Sequence, residues 1–317
     1  MRHTTPLVSV ICLCYNHGRF VADCLESVYT QSYPNIELII VDDASKDDSA
    51  SRIHALMRSG DYFIQNCENL GICRSFNLGL ARARGKYIVD LACDDILPQH
   101  SIASQVAILE QSSLQTGAVF GDAILIEENG RPIGTWYERD DEGRLLQQVP
   151  SGDVFRNVLA ETPILMGTSM TRKAVFDELD GYDEELVYED FDFLVRATRN
   201  WHYLFVDQPW MIYRQVAGSD SKQQLKKRTA HLESTWKVCR KAAALVRTEE
   251  EKAALVARLR NCLKQCFLLD YFELAEPFAT LHREFRPLNT VSALILAACK
   301  LRIPGNWLYR LYLKGKS

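Results

Sequence analysis

The chain has 317 residues, a length that allows one large domain with an additional module, or two domains of modest size. Hydrophobic residues make up 47% of the sequence, and the formal net charge of −4 provides no overall attraction for nucleic acid. No apolar run is long enough to span a membrane. The ten cysteines lack metal-binding spacing and no secretory signal begins the chain, so we expect reduced thiols in a cytoplasmic protein.

Strands and helices alternate in the first hundred residues. Near-continuous apolar runs at residues 8–14 and 37–41 are typical of strands that are buried on both faces of a parallel sheet. Further strands are predicted at 62–65 and 87–92, and Gly85 is expected to end the helix between them. This alternation predicts a parallel sheet with helices on both faces.

Polar side chains follow the first, second and fourth of these strands, at the point where each strand ends. Ligands of such sheets collect at the carboxyl ends of the strands, so the three groups should meet at one edge. Their convergence favours a binding site over a set of helix caps. The residues are Tyr15 and Asn16, Asp42 and Asp43, and Asp94 and Asp95.

The adjacent carboxylates of Asp94 and Asp95 repel each other unless a positive group lies close to them. A divalent cation that also holds a diphosphate would be such a partner, whereas the structural alternative is that the pair caps the following helix. No glycine-rich dinucleotide motif or P-loop occurs, so bound phosphates would need a metal or basic side chains. Arg74 is a candidate for this role; alternatively, it is a solvated helix residue.

Structure becomes less regular after the first hundred residues. The polar stretch at 131–150 is expected to be a loop that covers the site or is disordered without a function. A strand with small residues is predicted at 164–171, and two short aromatic strands are predicted at 201–206 and 210–214, with Pro209 between them.

Glu189 and Asp190 stand at the first turn of a predicted helix. The helix dipole favours carboxylates at that position, which is a sufficient structural explanation. The functional alternative is that the helix start holds a general base, which would accept a proton from an attacking hydroxyl group.

These stretches occur in an order that resembles a known family. The order is Val-Ser-Val-Ile…Tyr-Asn, Val-Asp-Asp-Ala-Ser, Asn-Leu-Gly…Ala-Arg-Gly-Lys-Tyr-Ile, Cys-Asp-Asp, Gly-Tyr-Asp-Glu and Glu-Asp-Phe-Asp. Over residues 6–221 it is similar to the family 2 inverting glycosyltransferases with the GT-A nucleotide-binding fold. The resemblance implies an α/β catalytic domain at 1–221, with a mixed, mostly parallel sheet flanked by helices, and a helical C-terminal appendage at 222–317.

The resemblance also implies an activity and a set of site residues. The activity would be inverting transfer of a sugar from a nucleotide-sugar, probably a UDP-sugar, to a hydroxyl of a saccharide or lipid-linked glycan in surface polysaccharide synthesis. The cofactor would be Mn²⁺ or Mg²⁺. The implied residues are Tyr15, Asn16, Asp43, Arg74 and Asp94 for the nucleotide-sugar, Asp95 for the metal and Asp190 as the catalytic base.

Two departures from the family pattern leave an alternative open. Ala92 stands where many relatives have a third aspartate, and Gln215 follows Tyr213-Arg214 in a stretch where relatives often carry a histidine. The alternative is a non-catalytic protein that binds nucleotide-sugars or glycans. A pair of carboxylates that acts on a sugar could instead hydrolyse a glycosidic bond. The polar strand ends, which are typical of nucleotide binding, favour sugar transfer over this hydrolysis.

The C-terminal hundred residues are predicted to be helical throughout. Residues 291–317 combine basic, aromatic and aliphatic side chains, a composition that suits contact with an anionic membrane surface. Such a contact would place the protein peripherally on the inner face of the cell membrane. Alternatively, this segment docks on its own protein or on another subunit.

Overall fold

The computed structural model of the chain describes residues 5–216 and 230–305. These residues form two compact units. The first unit contains residues 5–154, 163–184 and 196–216, and the second contains 155–162, 185–195 and 230–305. The domain boundary predicted between residues 221 and 222 lies outside the described residues.

The first unit is built on one mixed sheet. The described strands are β1 (Val8–Cys14), β2 (Ile36–Asp42), β3 (Tyr62–Gln65), β4 (Tyr87–Ala92), β5 (Thr116–Glu127), β6 (Pro132–Thr135), β7 (Met170–Arg172) and β8 (His202–Gln215). Their order is β3-β2-β1-β4-β7-β5-β6, and β8 pairs with β5. The first four strands pair in parallel, as do β5 and β8, whereas β6 and β7 pair antiparallel to their neighbours. The predicted mixed, mostly parallel sheet is confirmed.

Helices of the first unit cover both faces of this sheet. The described helices of both units are α1 (Val21–Tyr29), α2 (Ser49–Leu56), α3 (Ile72–Leu80), α4 (Ser101–Gln111), α5 (Phe155–Ala160), α6 (Lys173–Leu179), α7 (Asp190–Ala197), α8 (Ala230–Leu245), α9 (Glu249–Leu268), α10 (Ala275–Phe285) and α11 (Thr290–Lys300). On one face, Val10 and Cys12 of β1 share a core with Leu25 of α1. On the other face α3 lies so close that a Cβ on Gly79 would be 2.6 Å from Ile11 Cγ2.

One predicted helix ends earlier than expected. Helix α3 ends at Leu80, so Gly85 does not end it. The Gly85 N–H donates to Ser9 Oγ at 2.8 Å, and a Cβ at position 85 would lie 2.5 Å from the Ser9 nitrogen. Glycine is needed here because the two backbone segments approach closely.

The predicted strand at 164–171 is largely replaced by a single 3₁₀ turn at Met166–Thr168, and β7 begins only at Met170. The Thr168 hydroxyl lies 2.7 Å from the Leu165 carbonyl and 3.0 Å from the Gly121 carbonyl, and it accepts from the Gly121 N–H at 3.3 Å. The side chain of Thr168 therefore bonds to β5 where a strand would use its backbone.

The two aromatic strands predicted around Pro209 are one continuous strand, β8. Its pairing with β5 shifts register on either side of the Asp122–Pro209 partner pair. Because proline cannot donate to a ladder, such irregularities allow the strand to continue past it. The predicted loop at 131–150 contains β6 and an isolated pairing of Arg139 with Leu145.

The second unit is helical. Helix α9 begins with a capping box in which the Thr248 hydroxyl accepts from the Glu251 N–H, while the Glu251 carboxylate accepts from the Thr248 N–H. Its buried residues include Leu255, Leu259 and Leu263, and α9 contacts α5, α8, α10 and α11. None of the helices at 5–216 or 230–305 combines the length and apolar character that a membrane span requires.

Candidate functional site

The ends of β1, β2 and β4 form one edge of the sheet in the first unit. The register pairs Cys14 with Asp42 and Leu13 with Ala92. Beyond these pairs, the Asp43 N–H donates to the Cys14 carbonyl and the Cys93 N–H donates to the Leu13 carbonyl, each at 2.8 Å. The polar residues that follow the three strands therefore lie along one edge of the sheet. Their position results from the strand order and register.

Asp43 is buried and holds the loop that precedes α3. One carboxylate oxygen accepts from the Leu70 N–H and from the Asn66 side chain, both at 2.8 Å, and the other accepts from the Gly71 N–H at 2.9 Å. Gly71 has a φ of 84°, a backbone conformation that favours glycine. Asp43 thus fixes the conformation of the loop at 66–71, which precedes α3.

Tyr15 and Asn16 occupy the loop after β1. Asn16 adopts a left-handed conformation with a φ of 58°. Its N–H donates to Ser45 Oγ at 2.9 Å, and its side-chain oxygen accepts from the Lys46 N–H at 2.8 Å. Asn16 therefore joins this loop to the loop after β2, while Tyr15 beside it is 40% exposed and accessible to a ligand.

Asp42 is a site residue to which sequence reasoning gave no role. It is fully buried at the end of β2, and its Oδ2 accepts from the Ser45 N–H at 3.1 Å. Its Oδ1 is buried without a hydrogen-bond partner among the described residues. A buried acceptor of this kind costs stability, and because the atom is closed to solvent it is not a ligand contact in this conformation. The acidic pair is the sequence signal for this residue, although the family resemblance implies a role for Asp43 alone.

Asp94 and Asp95 differ in their surroundings. Asp95 is only 4% exposed, and one of its oxygens accepts from the Arg214 N–H at 2.8 Å. Asp94 lies beside His17, whose Nδ1 is 3.5 Å from Asp94 Oδ1. Helix α4 begins at Ser101, with His100 at its cap position, so the alternative that the acidic pair caps the following helix is wrong.

Both carboxyl groups hold their protons more tightly than usual. Burial and the charge of Asp94 raise the pKa of Asp95 well above its ordinary value, although the hydrogen bond from the Arg214 backbone opposes this. Burial also raises the pKa of Asp94, against the positive charges of His17 and Arg214. A cation bound beside the pair would favour the ionised forms of both groups.

These residues fit a partial set of metal ligands. Within residues 5–216 and 230–305, no three His, Cys, Asp or Glu side chains are grouped so that they could hold a metal ion by themselves. Mg²⁺ and similar hard cations bind one or two carboxylates and take their remaining ligands from phosphate oxygens and water. Asp94 and Asp95 suit a cation that binds together with a diphosphate.

Arg74 lies in the first turn of α3. Its side chain is 53% exposed, and its Nε is 3.7 Å from the Glu184 carboxylate. An exposed pair of this kind contributes little to stability and exchanges readily, so the guanidinium is accessible to another anion.

Arg214 supports Asp95 and also lines a cavity of about 550 Å³ in the first unit. Its Nε donates to the Asp94 carbonyl at 3.0 Å, and its guanidinium lies over the Phe20 ring, 4.6 Å from the ring centre. The cavity has an apolar floor that includes Ile96 and Ile212. One buried arginine therefore connects this cavity with the acidic pair.

Asp190 belongs to the second unit, where it begins α7. Burial raises the pKa of Asp190, while a hydrogen bond from the Phe191 N–H and the charges of Arg258 and His231 oppose the rise. Asp192 is buried and forms an ion pair with Lys241 at 2.6 Å. Asp190 is thus partly desolvated at a helix start, a setting in which a carboxylate can act as a base.

Comparisons of the sequence with known proteins agree on a family. Residues 9–179 match the family described as glycosyl transferase family 2. The chain is 36% identical to the glycosyltransferase GlyG of Streptococcus pneumoniae over 228 residues, which cover 68% of this chain and 73% of GlyG. It is 30% identical over 198 residues to an uncharacterized glycosyltransferase of Haemophilus influenzae, covering 61% of each chain. The match spans smaller parts of other relatives, such as 18% of a Rickettsia bellii glycosyltransferase.

Solved structures share the fold. Residues 1–349 of Staphylococcus aureus TarS, in complex with UDP, align with a TM-score of 0.67 and 16% identity over 98% of this chain and 92% of that one. A mannosyltransferase of Pyrobaculum calidifontis, PcManGT, in complex with GDP-Man and Mn²⁺, aligns with a TM-score of 0.58, also at 16% identity, over 98% and 84% of the two chains. At this identity the likeness concerns the fold, which is of the GT-A type. The match over residues 9–179 and the relationship to GlyG place the chain in glycosyltransferase family 2.

Proposed function

We propose that the chain is a metal-dependent, inverting glycosyltransferase that moves a sugar from a UDP-sugar to a hydroxyl group of a saccharide or lipid-linked glycan. The observation that carries this proposal is the gathering of Tyr15, Asp42, Asp94 and Asp95 at one sheet edge. TarS, which has the same fold, was solved with UDP and with UDP-GlcNAc, and this supports a uridine nucleotide as the donor.

Each group at the sheet edge has a chemical task in this proposal. Tyr15, which is 40% exposed, would stack on the base. Asp43 would keep the loop at 66–71 in the shape that the nucleotide requires. Asp94 would contact the ribose, and Arg74 would lie near the diphosphate.

Mn²⁺ or Mg²⁺ would be held by Asp95 with the help of Asp94, and when bound it would offset the negative charge that gathers on the leaving diphosphate. The Arg214 backbone keeps Asp95 in a fixed position through the 2.8 Å hydrogen bond to one carboxylate oxygen. At this point the protein would supply a carboxylate of fixed orientation to the bound cation.

Asp190 would act as the base for the acceptor. As the acceptor oxygen bonds to the anomeric carbon, its proton passes to Asp190, and the bond between that carbon and the diphosphate oxygen breaks with its electron pair. One displacement of this kind inverts the configuration of the sugar. The base must be ionised before the reaction, so the activity should rise as the pH increases through the pKa of Asp190.

The test is UDP release from a panel of UDP-sugars by the full chain with Mn²⁺, first with water as the only acceptor and then with saccharide acceptors. We expect release from at least one donor and a product of inverted configuration by NMR. Asp190→Asn should retain UDP binding and lose transfer, whereas the control Asp177→Asn, at an exposed residue, should leave both unchanged. Binding without any release would favour the non-catalytic alternative, and retention of configuration would rule out the single displacement.

The C-terminal segment is proposed to contact the inner face of the membrane, where a lipid-linked acceptor for surface polysaccharide would be found. On α11, Val291 and Leu294 are 64% and 66% exposed, and Leu301 follows at 74%. Lys300 and Arg302 pair with the acidic side chains of Glu276 and Glu273, which reduces their attraction for anionic lipid. The remainder of the segment, at 306–317, lies outside the described residues.

Co-sedimentation of the full chain with vesicles tests this contact. Binding that depends on the apolar face should be lost in Leu294→Glu. Binding should be stronger with anionic than with neutral vesicles, because Arg310, Lys314 and Lys316 add positive charge to the segment. A chain that stays in solution with both vesicle types would argue against the membrane contact and would leave the proposed donor chemistry unaffected.

A further inference from the structure

Trp136 and Tyr213 form an aromatic pair that the proposed function has not yet used. Both belong to the first unit, where their rings meet edge to face with their centres 6.1 Å apart. Trp136 is 43% exposed, although tryptophan side chains are highly buried on average. We infer that this pair, the aromatic platform, stacks against a sugar ring of the saccharide acceptor. The inference rests on the proposed function and names the part of the chain that receives its acceptor.

The structural alternative is that Trp136 serves only to anchor the segment after β6. Its neighbour Tyr137 already has that task, because it is 2% exposed and its hydroxyl donates to the Pro163 carbonyl at 2.7 Å. The Trp136 N–H also donates to the Ala123 carbonyl of β5 at 2.9 Å. The exposed indole is therefore carried by a backbone that is fixed in place, and a ligand that binds to it would impose little further ordering.

Tyr213 points to the face of the sheet on which α3 lies. On β8, Ile212 and Arg214 line the cavity that Phe20, beside α1, also lines. Successive residues of a strand point to opposite faces, so Tyr213 points away from α1. Helix α3, which carries Arg74, lies on that other face. The aromatic platform and the arginine proposed for the diphosphate thus belong to the same face of the sheet.

The aromatic platform is adjacent to the acidic pair. The peptide group between Tyr213 and Arg214 supplies the N–H that donates to Asp95 Oδ1 at 2.8 Å. Ile96, the residue after Asp95, exchanges two backbone hydrogen bonds with Ile212, at 2.8 and 3.1 Å. This part of β8 therefore runs directly beside the residues proposed for the cation and the ribose.

The strand order separates the aromatic platform from the residues proposed for the nucleotide. Tyr15 and Asp43 follow β1 and β2, on one side of β4, whereas β5 and β8 lie on the other side of it. In a single displacement, the acceptor approaches the sugar from the side opposite the leaving diphosphate. With the nucleotide on the β1 side of the acidic pair, the acceptor would enter from the β8 side.

The two rings suit the chemistry of a sugar. A face of a pyranose ring presents C–H bonds with a partial positive charge, which are attracted to the negative face of an aromatic ring. The indole is the largest aromatic side chain and offers the stacking surface, while a tyrosine hydroxyl can both donate to and accept from the hydroxyl groups of a sugar.

The experiment compares the full chain with its Trp136→Leu and Trp136→Tyr variants. Leucine keeps an apolar contact with Tyr213 but removes the flat face, whereas tyrosine keeps a flat face. The control is Tyr62→Leu, at a 41% exposed aromatic residue of β3, the strand at the opposite end of the strand order.

Two measurements are made on each protein. UDP release from UDP-sugars with Mn²⁺ is followed with water as the only acceptor and then with methyl glycosides of glucose, galactose and N-acetylglucosamine. The same glycosides are titrated against ¹⁵N-labelled protein in the presence of UDP, and the indole N–H resonances are recorded by NMR.

We expect Trp136→Leu to raise the KM for the saccharide about tenfold or more, because aromatic contacts of this kind carry much of the affinity of a site. The KM for the donor and the release of UDP into water should stay unchanged. Trp136→Tyr should retain most of the saccharide affinity, and Tyr62→Leu should match the unmodified protein. At least one glycoside should shift the indole resonance that is missing from the Trp136→Leu spectrum.

An unchanged saccharide KM in a folded, active Trp136→Leu variant would overturn the aromatic platform while leaving the transferase proposal in place. If the unmodified chain released no UDP from any donor, the transferase proposal would fail, and the titration would decide on the platform by itself. A shift of the Trp136 resonance would then support glycan stacking at this position, and no shift with any glycoside would overturn it. The unfolding temperature and UDP affinity of each variant separate loss of the saccharide contact from loss of folded protein.

Discussion

Asp90 is the titratable residue from which the structure gives the sharpest prediction on stability. It lies within β4, and the Tyr182 hydroxyl donates to its Oδ2 at 2.9 Å. Burial raises the pKa of Asp90 to about 7, and the bond from Tyr182 offsets only part of the rise. An aspartate in an unfolded chain has a pKa of about 3.9. Between these two values the folded chain keeps a proton that the unfolded chain releases.

The sign of the effect follows from this difference. Because the folded state binds more protons, the free energy of unfolding falls as the pH rises from about 4 to about 7. A difference of about 3 pKa units at about 1.4 kcal/mol each corresponds to at most about 4 kcal/mol. The upper value applies to complete burial, and Asp90 keeps some contact with solvent.

Asp90→Asn removes the titration while keeping an oxygen that can accept from Tyr182. We expect the variant to match the unmodified protein near pH 4 and to be more stable at pH 8 by up to about 4 kcal/mol. Urea unfolding at a series of pH values measures the difference, and carbon NMR of labelled aspartate measures the pKa directly. Tyr182→Phe, which can keep the ring stacked 4.2 Å from Phe76, should raise the Asp90 pKa further. A stability difference that does not change with pH would refute the reasoning.

Two further predictions concern hydrogen bonds that shape the two units. Asp43→Asn places an amide N–H₂ where the Gly71 N–H or its neighbours need an acceptor, so we expect a loss of about 1–3 kcal/mol of stability and weaker UDP binding. Unchanged unfolding in urea would show that the loop does not depend on this carboxylate. Thr248→Ala removes the cap of α9 and should cost about 1 kcal/mol, whereas Thr248→Ser should cost much less. Equal unfolding temperatures for the Ala and Ser variants would contradict the capping role.

Local patterns predict the sheet and the edge at which the polar residues gather. Apolar runs marked the buried strands, and the rule that ligands lie at the carboxyl ends of parallel strands indicated that residues after β1, β2 and β4 belong together. The register of these three strands confirms that part of the reasoning. It succeeded because strand order and direction follow from alternation with helices, which sequence patterns reveal.

The different hydrogen bonds of the neighbouring residues Asp42 and Asp43 could not be predicted from local patterns. Asp42 and Asp43 are adjacent, but the loop at 66–71 donates hydrogen bonds to both Asp43 oxygens, whereas Asp42 Oδ1 has no partner among the described residues. The continuity of β8 could not be predicted from local patterns either, because it depends on the register shifts in the pairing with β5 on either side of Pro209. Both features depend on contacts between segments far apart in sequence, which no local pattern encodes.

The last prediction concerns the C-terminal helices, because they supply positive charges that act on Asp190. Arg258 of α9 donates to the Leu159 carbonyl and to the Thr162 hydroxyl, and it lies over the Phe191 ring at 4.5 Å. Its positive charge opposes the rise in the Asp190 pKa that burial causes. If Asp190 is the base, Arg258→Met should raise its pKa and move the rising limb of the pH profile of kcat/KM to higher pH.

Arg258→Lys separates this charge effect from the loss of packing. Lysine keeps the positive charge but cannot form the several hydrogen bonds of the arginine guanidinium. The pH profile of kcat/KM of the Arg258→Lys variant should therefore stay near that of the unmodified protein, even if its stability falls. UDP binding should be unchanged in both variants, since the proposed nucleotide contacts are those of Tyr15, Arg74 and Asp94, and Arg258 makes none of them. A Met variant that is folded and active with an unshifted rising limb would mean that the group titrating in that limb does not feel Arg258. Asp190 could then not be the base, and the C-terminal helices would have no part in the proton transfer.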